Sequence, residues 1–241
     1  MDEPHADHWS PEEAARFDEF AAQSFSWHFI ERPSLRALIE SCISQQTVVL
    51  DLGCGGGRII DLLREVGVAE GSVYGLDSNP TLLAMARDRF PGATVVSGEL
   101  TEPPYAGIPE HTVDLVTAHL VLQYLETAQL SACLREVHRL LRPSGHLAVG
   151  LPHPMRVNEQ AEAGYFTRQR QVVCAPWGGR TASSGLTVAD YVNAIIQAGF
   201  RLARMEEPEI AEDGLEHEEA GYYSPGPTRL MMLLQVNSYS V

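Results

Sequence analysis

The chain has 241 residues, a hydrophobic fraction of 44% and a formal net charge of −15. That length suits one α/β domain with some added substrate-binding structure, and it is short for two independent domains. All 17 basic residues are arginine, and no window clusters them as a phosphate backbone requires, so nucleic acid and anionic membranes are excluded as partners.

The acidic N-terminus lacks the apolar core of a secretory signal, and no apolar run approaches the ~20 residues of a membrane helix. Cys42, Cys54, Cys133 and Cys174 form no CxxC pair, which predicts neither a disulfide framework nor a zinc knuckle. The expectation is a cytoplasmic chain, monomeric or homodimeric.

Ser10-Pro11-Glu12-Glu13 opens the first helix, with Ser10 as cap, Pro11 at the first helical position and Glu13 as the capping-box acid. A second helix starts at Pro33 and places Leu35, Leu38, Ile39 and Cys42 on one face. Residues 47–52 form a short apolar strand that runs into Gly53-Cys54-Gly55-Gly56-Gly57. Strands then alternate with helices: 72–77, 93–97 and 112–118 read as strands, and 80–89 as a helix. Leu130, Cys133, Leu134, Val137, Leu140 and Leu141 form a helical stripe that stops at the turn 142–145. Residues 146–151 return as a strand. Such alternation predicts a mostly parallel sheet covered on both faces.

Residues 152–186 break the rhythm with prolines, glycines and the aromatics Tyr165, Phe166 and Trp177, which predicts a functional insertion. A helix follows with Val188, Tyr191, Val192, Ile195 and Ile196 on one face. Residues 200–206 and 230–236 are the last two strands, separated by an acidic, solvated loop at 206–219. One domain is expected: a helical cap over 1–45, a core over 46–151, the insertion over 152–186, and a helix with strands over 187–241.

The sharpest local signal is VVLDLGCGGGR at 48–58. Gly53 and Gly55 let the backbone turn tightly and approach a ligand. A dinucleotide fingerprint requires a third glycine at position 58, where Arg58 stands instead, and Asp51 would aim a carboxylate at a diphosphate. Asp51 suits a ligand with a cationic group. Asp77 ends the next strand, where an acid can accept from both hydroxyls of a ribose.

This stretch resembles motif I of the class I S-adenosylmethionine-dependent methyltransferases. VYGLDSNP is similar to the family's ribose-binding acidic loop, and VVSGELTEPPY to its adenine segment, with Glu99 where the family usually has Asp. VDLVTAHLVLQYL resembles the fourth-strand motif, and LREVHRLLRPSGHLAVGLPHP the following helix, turn and fifth strand. IERPSLRALI, His153-Pro154 and DYVNAIIQAGFRLARMEEP look like a bacterial subgroup acting on small molecules. That subgroup often carries a His-Arg pair where this chain has Gly185-Leu186.

The resemblance implies a Rossmann-like class I methyltransferase fold: a seven-stranded, mostly parallel sheet, helices on both faces, and a lid or insertion after the fifth strand. It implies S-adenosyl-L-methionine as cofactor, with S-adenosyl-L-homocysteine as product. The cofactor would be held by Asp51, Gly53, Cys54, Gly55, Asp77, Ser78, Glu99, Leu100, Ala118 and His119. The implied reaction is in-line methyl transfer to a small organic molecule, such as a bacterial secondary metabolite or its precursor. Two alternatives stay open: a non-methylating scaffold that binds the same cofactor, and an NAD-dependent oxidoreductase.

Methyl transfer to a hydroxyl, amine or enol benefits from a general base, and histidine titrates in the right range. His5 and His8 lie in the terminus, His217 in the acidic loop, and His111, His138 and His146 away from strand C-termini. His119 and His153 sit just beyond strand C-terminal ends, where α/β sheets bind ligands. Each is a candidate base, against the plainer reading of a packed, hydrogen-bonded histidine. Trp27, His28, Tyr165 and Trp177 are candidate substrate contacts, against ordinary core. No metal-ligand spacing is present.

Overall fold

The computed structural model describes residues 9–174, 177 and 180–237. The expectations that fell on His5 and His8 lie outside them. Helix α1 (Pro11–Gln23) begins with the capping box expected from Ser10 and Glu13. A π-helical turn, Trp27–Glu31, leads into α2 (Arg32–Ile39), so the helical path begins before Pro33. Its buried face is Leu35, Leu38 and Ile39, while Cys42 is only partly buried.

The core then runs β1 (Val49–Leu52), α3 (Arg58–Glu65), β2 (Val73–Asp77), α4 (Pro80–Arg89), β3 (Thr94–Ser97), β4 (Val113–His119), α5 (Thr127–Leu140) and β5 (Leu141–Pro152). After it come α6 (Pro154–Gln160), a hairpin of β6 (Gln171–Cys174) and β7 (Arg180–Ser183), α7 (Val188–Gln197), β8 (Phe200–Glu206), the one-turn α8 (Ala220–Tyr223) and β9 (Arg229–Val236). No helix among the described residues is long and apolar enough to cross a membrane.

Seven strands form one sheet in the order β3-β2-β1-β4-β5-β9-β8. The first five are parallel, and β9 enters antiparallel between β5 and β8. This is the class I methyltransferase arrangement, and it departs from the 3-2-1-4-5-6 order of dinucleotide-binding sheets. Every residue of β1 is buried, as expected for a central strand covered on both faces. One layer of core gathers under α5 and α7, and the other under α2, α3 and α4.

Two local expectations are corrected. The turn at 142–145 is a bulge inside β5, since Leu141 pairs with Val113 and His146 with Leu115. Ser144 takes a φ of 67° to make it. On α7, Tyr191 and Ile195 are buried but Ile196 is 54% exposed, because the apolar sequence stripe is wider than the face that meets the sheet. The insertion is also more ordered than its composition suggests, since it carries α6 and the hairpin.

The glycine turn is stitched to the neighbouring strand. Gly53 and Cys54 both donate to the carbonyl of Leu76 at the end of β2, at 2.7 and 3.0 Å. Gly57 caps α3 with a φ of 93°, and a Cβ there would lie 2.4 Å from the Phe90 ring. A side chain would suffer both left-handed strain and a clash with a packed aromatic. Gly57→Ala is therefore expected to cost about 2–4 kcal/mol of folding stability, measured as a lowered urea midpoint at unchanged m-value. Loss of less than about 0.5 kcal/mol, the range of neutral surface changes, would contradict this packing.

Candidate active site

A cavity of about 890 Å³ opens at the C-terminal ends of the parallel strands, where open α/β sheets bind ligands. Gly53, Cys54, Gly55, Asp77, Ser78, Glu99, Leu100 and His119 all line it, so most of the expected cofactor set converges on one space. Ala118 and Asp51 do not line it. Ala118 is wholly enclosed in β4, and Asp51 lies buried on β1 behind the turn.

Asp77 does two things at once. Its Oδ2 accepts from Gly55 N at 2.9 Å and its Oδ1 from Asn79 N at 2.8 Å, which fixes the carboxylate on the glycine turn. A carboxylate has about four lone-pair sites, so capacity remains for ligand hydroxyls. Asp51 is less satisfied. Its Oδ1 accepts from Thr117 Oγ1 at 2.7 Å, while the buried Oδ2 has no partner among the described residues. Burial lifts its carboxyl to about 7, against the pull of the Thr117 hydroxyl.

Beside the turn lies a buried charge cluster that sequence reasoning missed. Glu31, 1% exposed, closes the π-helical turn. Its Oε2 accepts from His119 Nε2 at 2.8 Å, and its Oε1 from Arg229 Nε at 2.7 Å and from Nη2 at 2.6 Å. Burial opposes the charge on Glu31, yet the Arg229 guanidinium and the His119 bond hold its carboxyl well below the usual range. Arg229 also reaches Ser26 Oγ at 3.0 Å. Arg58 stacks on the Trp27 ring at 4.4 Å, with its nearest Glu31 oxygen 3.8 Å away.

His119 is thereby committed. A carboxylate only accepts, so Nε2 carries the proton. Nδ1 is enclosed without a partner, in the space that a Cβ on Gly150 would fill. Burial lowers its pKa and keeps the ring neutral. It therefore anchors Glu31 at the cavity wall and presents no free nitrogen to a ligand.

His153 does not line the cavity. It caps α6: Nδ1 accepts from Met155 N at 3.3 Å, and Nε2 donates to Glu207 at 2.9 Å. With both nitrogens engaged and the ring 5% exposed, the packed role is the one its geometry supports, in place of the expected base. The signal was present in the sequence, because the residue before a proline at the first helical position is the cap.

Of the expected substrate contacts, Trp177 lines the cavity and Trp27, His28 and Tyr165 do not. Trp27 is the buried platform beneath Arg58, and His28 faces solvent with Nε2 against Ala22 O at 3.0 Å. The Tyr165 hydroxyl accepts from Val188 N at 3.0 Å. Phe166 is 76% exposed and walls nothing. The aromatic wall is built instead by Trp9, Phe17 and Phe20 from the N-terminal segment, with ring centres 5.4, 5.1 and 5.9 Å from Trp177. Arg156 and Tyr222, stacked at 4.6 Å, form the side reached from α6 and α8.

Residues 50–149 match a family described as a methyltransferase domain. An uncharacterized methyltransferase of Synechocystis sp. is 37% identical over 107 residues, which are 44% of this chain and 48% of that protein. A trans-aconitate 2-methyltransferase of Methylobacterium nodulans is 35% identical over 121 residues, 50% of this chain and 44% of that one. The matched stretch thus spans about half the length of these curated relatives. The crystal structure of an S-adenosylmethionine-dependent methyltransferase from Mesorhizobium loti superposes with a TM-score of 0.66 at 24% identity, covering 88% of this chain and 98% of that one.

The cap role of His153 has a measurable consequence. His153→Ala should cost about 1 kcal/mol of stability, the scale of a lost helix cap. A general base is worth ~10²–10⁴-fold in rate, so methyl transfer should stay within about threefold of the parent. A hundredfold loss of turnover at unchanged cofactor affinity would return His153 to the chemistry.

Proposed function

We infer, from the membership of this chain in the class I S-adenosylmethionine-dependent methyltransferases, that it is an enzyme methylating a small organic molecule. The observation that carries the reading is one continuous cavity, running from the glycine turn and Asp77 to an aromatic wall of Trp9, Phe17, Phe20 and Trp177. Its volume is at the upper end for small-molecule sites, with room for a nucleoside cofactor and a second compact molecule.

The residues present fit that cofactor. Three glycines of the turn, Gly53, Gly55 and Gly57, take positive φ, and a Cβ at Gly53 would lie 2.5 Å from Val121, so backbone alone borders the cavity there. Asp77 would take the ribose hydroxyls, with Ser78 beside it, and Glu99 and Leu100 the base. Asp51, with its unpartnered oxygen, adds negative field behind the turn for a cationic ligand.

Bound S-adenosylmethionine supplies an electrophilic methyl group on a sulfonium sulfur, so the chain's own contribution is orientation and exclusion of water. His119 fixes Glu31, Glu31 fixes Arg229, and this part of the wall holds its shape without reorganising. The aromatic wall covers the opposite side and suits a planar acceptor, of the size found in secondary metabolism. Neither His119 nor His153 offers a free nitrogen to the cavity, so proximity and desolvation carry more of the rate than a histidine base. The dinucleotide reading loses support twice over, at Arg58 and in the sheet order.

Calorimetry is expected to show binding of both S-adenosylmethionine and S-adenosylhomocysteine, and Asp77→Asn should weaken each by about tenfold or more. Binding of neither by the parent protein ends this reading. Transfer of an isotope-labelled methyl group into a product separates an enzyme from a scaffold that binds the cofactor without methylating.

The raised Asp51 carboxyl sets a pH dependence. It titrates near 7 in the free protein, above its unfolded value, so the free protein loses stability as pH rises between about 4 and 7. A cationic ligand favours the ionised form. Affinity for S-adenosylmethionine should therefore rise with pH up to about 7 and level off above it, with proton release visible as a buffer-dependent binding enthalpy near pH 6. A flat affinity between about pH 5.5 and 8.5 would contradict it.

A further inference from the structure

The cavity contains a cation that the protein leaves without a hydrogen bond. Arg58 lines the cavity and its side chain is 22% exposed. A guanidinium carries five N–H donors, yet no hydrogen bond joins Arg58 to any described residue; its one ion-pair contact is Glu31 Oε2 at 3.8 Å. That is beyond hydrogen-bonding distance, and the same oxygen already takes the His119 proton at 2.8 Å.

The other acids near Arg58 are equally engaged. Asp18 pairs with Arg89, and Asp51 accepts from Thr117. With His119 neutral, Glu31 cancels only one of the two arginines, and the cluster retains one positive charge. Leaving donors unmet in a half-enclosed site is costly. The indole of Trp27 holds the guanidinium from one face at 4.4 Å, which fixes its plane and leaves its edge for a partner.

Position says which partner. Arg58 is the first residue of α3, directly after the glycine turn. The α3 cap is Gly57, which has no side chain to take the first-turn N–H groups, so a helix N-terminus and a guanidinium converge on the same corner. A planar, doubly accepting anion completes both.

The geometry points to Arg58 as the anchor for a carboxylate, that of the cofactor's amino-acid end, gripped at the mouth of the glycine turn. This rests on the assignment of the cavity to S-adenosylmethionine. The sequence flagged position 58 only as a glycine that a dinucleotide site would need. Here the arginine that bars a diphosphate turn becomes the selective element, because it rewards a carboxylate where a third glycine would have made room for phosphate.

The test is a cycle between protein and ligand, read by calorimetry. The protein pair is parent and Arg58→Gln. The ligand pair is S-adenosylhomocysteine and its decarboxylated analogue, which keeps the ammonium group and the nucleoside. In the parent, removing the carboxylate should weaken binding about 10- to 100-fold, the scale of a charge-assisted hydrogen-bond pair. In Arg58→Gln the same change should weaken it by less than about threefold, and the decarboxylated analogue should bind both proteins alike.

An equal loss on decarboxylation in both proteins overturns the assignment. So does an Arg58→Gln variant that loses both ligands in parallel, the signature of a packing role. Failure of the parent to bind S-adenosylhomocysteine at all falls on the functional reading instead, and takes this assignment with it.

Discussion

Glu31 is a carboxylate with almost no contact with water, and three separate regions of the chain converge on it. It sits on the N-terminal π-helical turn, takes a proton from His119 at the end of β4, and is held by Arg229 at the start of β9. A buried ion cluster is a poor source of net stability, since desolvating the charges offsets most of their attraction. Breaking one is another matter, because an orphaned buried charge costs about 3–5 kcal/mol. The consequence is positional: cap, central sheet and last strand can be assembled in only one relative arrangement without stranding a charge.

That arrangement creates the cavity. The cap brings Trp9, Phe17 and Phe20 over the strand ends, the insertion brings Trp177 to meet them, and the Trp27 ring slides beneath Arg58. The glycine turn supplies bare backbone on the opposite wall, tied to Asp77 through Gly55 N. Polar groups left incomplete inside the protein, Asp51 Oδ2 and the Arg58 fork, lie on either side of that turn. One asks for a cation and the other for an anion, which is the pattern of a zwitterionic amino-acid end.

The parts legible in the sequence were those governed by local rules. The capping box at Ser10, the strand-turn-helix at 48–58, the acid at the end of β2 and the stripe of α5 all depend on neighbours a few residues apart. The charge cluster was not legible, because it joins Glu31 to residues 88 and 198 positions away, and each member alone reads as an ordinary surface charge. The aromatic wall failed in part for the same reason: Trp177 was visible in the insertion, but its partners come from α1 and the residue before it. His153 was misjudged because its place after a strand outweighed the capping signal of the following Pro154. Ile196 was misjudged because a periodic stripe shows where a helix face begins and not how much of it the sheet covers.

The most direct measurement of the account is a crystal structure with S-adenosylhomocysteine bound. The account predicts the ribose hydroxyls on Asp77, the amino-acid end against the glycine turn, and its carboxylate within hydrogen-bonding distance of the Arg58 guanidinium, which stays on Trp27 while Glu31, His119 and Arg229 keep their present contacts. A ligand lying elsewhere, or a carboxylate turned away from Arg58 while the guanidinium closes on Glu31, would contradict it.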